Sequence, residues 1–163
     1  PKLDQQAVLL MSTSTAIRLS ILIVSAVISA ALSPLQSGDT TSTSLQRVTA
    51  TEKGKLTNPL TITPQIIAEG QSLYQAKTCG ACHGSNGGGI HCPSLINSEW
   101  IYDGDDDTLF RLIALGSSGL ETAGYKRGDK EKHAGPMPGF AEAIPNEGDI
   151  WKIIAYIRSL EPK

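Results

Sequence analysis

The sequence predicts an all-α fold, and three observations carry that prediction. Three stretches have the apolar spacing of helices, beginning near Thr63, near Asp106 and near Glu147. Glycine- and proline-rich connections separate them, among them residues 86–89 and 135–140. Residues 79–83, directly after the first helical stretch, read Cys-Gly-Ala-Cys-His, a run that predicts what the helices pack around.

Residues 1–32 read as a signal peptide or membrane anchor. Arg18 precedes an apolar run over residues 19–32. That run is shorter than the about 20 residues a comfortable membrane span needs. Ser29, Ala30 and Ala31 supply a cleavage region for a secretory signal, and an uncleaved anchor is the alternative. No cysteine lies between the run and residue 79, so a lipoprotein-type attachment there is excluded. Residues 33–62 are rich in Ser and Thr, and the piece 37–44 shows no apolar period, which predicts a flexible linker or extended arm. The compact domain is expected over residues 63–163.

Within that domain, Thr63 suits a helix N-cap and Pro64 its first turn. Ile66, Ile67, Gly70, Leu73 and Tyr74 follow at helical spacing. A second helix is expected over about 106–115, with Asp105, Asp106 and Asp107 at its positive end and Gly116 stopping it. Leu109, Leu112 and Ile113 mark its buried side. The last helix is expected over about 147–160, capped by Asn146. Its Ile150, Ile153, Ile154 and Ile157 form one apolar stripe flanked by Trp151 and Tyr156, a packing face.

The Cys79-x-x-Cys82-His83 run is the attachment signature of a c-type haem. Two intervening residues let the chain present both sulfurs to the two vinyl groups. The adjacent His83 is then held against the iron as an axial ligand. A bare C-x-x-C also serves zinc sites and dithiol exchange, which stay the alternatives at this point. Zinc needs four ligands, and the remaining candidates are Cys92, His91 and His133. Aromatic residues make up only 5% of the chain, thin for a conventional core, so a buried porphyrin would supply apolar bulk. The net charge of −2 points to neither nucleic acid nor a strongly anionic membrane surface.

Met137 is the expected second iron ligand. It lies in Gly135-Pro-Met-Pro-Gly-Phe140, too rich in Pro and Gly for a helix or central strand but suited to holding one side chain inward. The only other methionine is Met11, in the apolar N-terminal region. A thioether ligand favours ferrous iron and raises the reduction potential relative to two histidines. His91 and His133 are the rivals for the same position.

These parts, with Pro93-Ser-Leu95 between them, come in an order that resembles a class I, monohaem cytochrome c over about residues 63–163. The resemblance implies three or more helices around one covalently bound haem c. It implies close approach of the first and last helices at Gly70, near Tyr156. It also implies a Pro93 carbonyl that accepts a hydrogen bond from the His83 ring. Trp100, Tyr102 and Arg111 are expected to contact the haem propionates. Residues 99–104 are similar to haem c subunits or domains of periplasmic dehydrogenases and terminal oxidases. Two departures stand out. Cys92 precedes Pro93, where the family often has a small residue such as Gly, and is read as a buried inert thiol, with a reactive or intermolecular one as the alternative. The connection 116–136 is long and carries Lys126, Arg127, Lys130 and Lys132, a solvated loop or a docking surface.

The expected function is that of an exported one-electron carrier with His/Met ligation and no catalytic residue. It would shuttle electrons between redox proteins or serve as the haem c subunit of a dehydrogenase, respiratory complex or terminal oxidase. The expected location is periplasmic or otherwise extracytoplasmic, with membrane contact only through an uncleaved anchor. The alternative is a haem enzyme or gas sensor with a displaceable sixth ligand.

Overall fold

The computed structural model describes residues 42–96, 99–128 and 135–161. Residues 1–32, with the expected signal or anchor, lie outside them, as does His133. Five helices follow in chain order, and among the described residues there is no strand. They are α1 (Ser44–Ala50), α2 (Pro64–Ala76), α3 (Cys79–His83), α4 (Asp106–Thr122) and α5 (Glu147–Leu160). None of them is long and apolar enough to cross a membrane.

Local chemistry accounts for the helix starts. Thr63 is extended and accepts from the Ile66 amide at 3.2 Å, with Pro64 in the first turn of α2. Asp105 caps α4 through the Thr108 amide at 3.0 Å. Asn146 caps α5 through the Gly148 amide at 2.8 Å. These are the caps the sequence predicts.

Helices α2 and α5 form the main packing pair. Gly70 makes that approach possible: a Cβ there would lie 2.0 Å from the Lys152 carbonyl oxygen and 3.1 Å from the Tyr156 Cβ. Tyr74 meets Tyr156 edge-on at 5.3 Å, and Phe110 of α4 lies against Trp151 at 4.5 Å. Ile150, Ile153, Ile154 and Ile157 are all buried, each stabilising the fold by about 1.5–3 kcal/mol.

The course of the chain differs from the sequence reading in two places. Gly116 breaks α4 as expected, with φ 71° and ψ 176°, but helical structure continues to Thr122. The Ser117 amide bonds outward to the Met137 carbonyl at 2.9 Å, so the chain turns without leaving helical conformation for long. The second difference concerns residues 43–62, expected as linker. Thr43 and Gln46 form a capping box that starts α1. Ser44 Oγ donates to the Ile144 carbonyl, Arg47 pairs with Glu147, and Val48 and Leu56 enter the core. A seven-residue helix with one buried apolar side chain, Val48, has almost no periodic signal, and distant partners hold it.

Arg111 is the anchor of this strap. It is buried, pairs with Asp107 at 3.0 Å, and donates to the carbonyls of Val48 (3.0 Å), Thr51 (2.8 Å) and Glu52 (2.9 Å). The Leu56 amide and the Tyr125 hydroxyl donate to the same Asp107 carboxylate. Burial opposes ionisation of Asp107, but the Tyr125, Leu56 and Arg111 donors outweigh it and hold its pKa below the usual value. Burial, followed by the Asp107 contact, pushes the Tyr125 phenol up to about 12.

Asp107→Ala leaves the Arg111 charge buried without its carboxylate and should cost about 3–5 kcal/mol in denaturant unfolding. The native pKa of Asp107 is depressed, so its ionisation stabilises the fold above the ordinary value of 3.8 and ceases to as pH falls through the native value. Unfolding followed against pH should therefore show a steeper acid limb in wild type than in Asp107→Asn.

Candidate functional site

A cleft runs between α3, α4, α5 and the loops around residues 92–103 and 135–137. Leu109, Leu112, Ile113, Ile153 and Ile157 supply an apolar wall.

The Cys-x-x-Cys-His run forms α3 itself. Thr78, in the left-handed region at φ 61°, turns the chain sharply from α2 into it. The turn is tied back on both sides. Tyr74 Oη donates to the Gly84 carbonyl at 2.8 Å. The Cys82 carbonyl faces the amides of Ile90, His91 and Cys92 at 3.1–3.3 Å, and the Gly89 amide donates to the His83 carbonyl at 2.7 Å. Burial, then the neighbouring Cys79, pushes the Tyr74 phenol well above its ordinary range, so it remains a donor.

His83 Nδ1 lies 2.8 Å from the Pro93 carbonyl oxygen. A carbonyl only accepts, so Nδ1 carries the proton and Nε2 keeps its lone pair. His83 and Met137 both line the cleft, as do Cys79, Pro93, Trp100 and Tyr102. Cys82 is exposed, one helical turn from Cys79. The donor set is thus one imidazole and one thioether facing a mainly apolar space beside two thiols, a set that fits haem iron. It fits zinc and dithiol exchange poorly. Among the described residues no three of His, Cys, Asp or Glu gather as metal ligands. Burial pushes the Cys79 and Cys92 thiols up, whereas reactive dithiols have lowered values.

Arg111 requires correction. It does not line the cleft, because its guanidinium is taken up by Asp107 and three backbone carbonyls of the strap. Arg127 is the arginine on the cleft wall. Tyr102 Oη donates to Glu121 Oε1 at 2.7 Å. Sequence reasoning placed Arg127 with the charged loop; its position two residues after the buried Tyr125 was the available signal. His91 is exposed and off the cleft wall, and residues 129–134, with Lys130 and Lys132, lie outside the described part.

Trp100 is fixed by close backbone approach. A Cβ on Gly104 would lie 2.4 Å from Trp100 Cδ1, and the Arg158 guanidinium lies 6.0 Å from the indole ring. Gly104→Ala should push the indole from the cleft wall, cost about 1–3 kcal/mol and change the near-ultraviolet dichroism of tryptophan. An unaltered aromatic spectrum would show that the contact does not hold Trp100.

A family model described as Cytochrome c matches residues 67–161. The Cbb3-type cytochrome c oxidase subunit FixPc of Rhizobium leguminosarum bv. viciae is 37% identical over 79 residues, covering 48% of this chain and 25% of that one. The CcoP subunit of Azospirillum brasilense is 35% identical over 68 residues, 37% of this chain and 23% of that one. The CcoP subunit of Cereibacter sphaeroides is 31% identical over 98 residues, 58% of this chain and 28% of that one. The chain thus spans about a quarter of the length of these relatives.

Proposed function

The chain belongs to the cytochrome c family, and from that membership we propose that it is a one-electron carrier holding one haem c in the cleft. A bound haem c supplies a ferric/ferrous couple. The chain's own residues do the rest. Cys79 and Cys82 retain the group through thioethers while protein partners come and go. His83 would coordinate through Nε2, its ring oriented by the Pro93 carbonyl. Met137, which lines the same cleft, would offer a soft thioether ligand that favours the ferrous state. The apolar lining excludes water and acts in the same direction on the potential. Arg127, Trp100 and Tyr102 line the cleft and would serve the propionates.

The observation that carries this reading is the convergence of His83 and Met137 on one apolar cleft, 54 residues apart in sequence. The relatives named as cbb3-type oxidase subunits support service as the haem c part of a terminal-oxidase-type respiratory complex. Residues 1–32 would deliver the domain outside the cytoplasm, as a cleaved signal or a retained anchor. With both His83 and Met137 given to the iron, no position would stay open to a substrate, and the chain itself would carry electrons.

The test is spectroscopic. Protein isolated from its own cells should retain pigment covalently, and Cys82→Ala should leave a single thioether. The ferric protein should show a far-red charge-transfer band that Met137→Ala abolishes, together with a fall in reduction potential. Carbon monoxide should bind the reduced wild type slowly and Met137→Ala rapidly. Rapid binding to wild type would favour a haem enzyme or sensor and contradict the carrier reading.

A further inference from the structure

We infer that Ser117 is a positioning residue for Met137, holding the ligand loop against the break in α4. This rests on Met137 being an iron ligand, the reading proposed above.

In an unbroken helix the Ile113 and Ala114 carbonyls would accept from the amides of residues 117 and 118. Gly116, at φ 71°, turns the chain and frees them. The Met137 loop takes up what is released. The Phe140 amide donates to the Ile113 carbonyl at 2.8 Å and the Ala141 amide to the Ala114 carbonyl at 3.1 Å. The Ser117 amide, no longer bound within the helix, donates to the Met137 carbonyl at 2.9 Å. The break in α4 is therefore a socket for the loop.

Contact along this seam is at backbone distance. A Cβ on Gly116 would lie 2.6 Å from the Met137 carbonyl oxygen, and one on Gly139 would lie 2.8 Å from the Leu115 carbonyl oxygen. Larger residues at either position would drive the loop away from the helix.

Ser117 completes the seam with its side chain. Pro136 and Pro138 lack amide hydrogens, so Met137 has the single N–H of that triplet. It donates to Ser117 Oγ at 3.0 Å, and Ser117 is buried. Both main-chain polar groups of the ligand residue thus bond to one serine. Removing the hydroxyl leaves the Met137 amide without its partner in a part-buried place and loosens the loop.

The holoprotein tests this with imidazole, which competes with Met137 for ferric iron. Ser117→Ala should bind imidazole about fivefold to tenfold more tightly than wild type, the ratio expected for one hydrogen bond. Ser117→Thr keeps the hydroxyl and should stay within about twofold of wild type. Gly139→Ala attacks the seam from the loop side and should shift affinity in the same direction as Ser117→Ala, and it carries the test if Ser117→Ala fails to retain haem. Val48→Ala, which thins the core at α1 far from the loop in sequence, should lower the unfolding midpoint and leave imidazole affinity unchanged. Unchanged affinity in both seam variants, or an equal shift in Val48→Ala, would overturn the positioning role. Met137→Ala separates the two readings: if wild type binds imidazole as tightly as Met137→Ala, ligation by Met137 fails and the inference falls with it. If the two differ widely while the seam variants match wild type, only the role of Ser117 is lost.

Discussion

The fold depends on one backbone-to-backbone approach. Gly70 brings α2 against the Lys152 carbonyl of α5, at a distance no side chain would allow. Tyr74, one turn further along α2, can then pack on Tyr156 and still reach the Gly84 carbonyl. Through that hydroxyl the helix pair fixes the exit of α3, and with it the Cys79–His83 turn. The other wall of the cleft is added by α4, whose Phe110 rests on Trp151. The helix pair thus sets where the sulfurs and the imidazole lie, and the rest of the chain closes around them.

The two sides of the cleft are built by different means. The histidine side is a short helix locked by local hydrogen bonds, with the Pro93 carbonyl choosing the tautomer of His83. The methionine side has no regular structure and borrows its order from the break in α4. The strap of residues 43–56 bonds back to Arg111, five residues before that break, and to Asp107. A buried ion pair of this kind is a demanding way to hold a strap, since loss of either partner strands a charge.

Much of this is legible in the residues. The Thr63, Asp105 and Asn146 caps and the isoleucine stripe of α5 follow from local chemistry that the structure repeats. The five-residue motif and the Pro-Met-Pro loop reveal candidate ligands because few other residue types serve there. What stays hidden depends on distant partners. Helix α1 is held by Ile144, Pro145 and Glu147, about a hundred residues away, so its Ser- and Thr-rich sequence resembles a linker. Arg111 looks like an anion contact until its partners are known, because a buried arginine serving carbonyl groups has no local signature. Arg127 takes the place on the cleft wall that Arg111 was expected to have.

The central claim is that Met137 and His83 hold one haem iron between them. The chain contains two methionines, so proton resonance of the ferrous protein with isotopically labelled methionine methyls is a direct test. A methyl held over the porphyrin face should be displaced far upfield by the ring current, and that signal should vanish in Met137→Ala. Methionine methyl signals confined to ordinary positions in the reduced, pigmented protein would contradict the account.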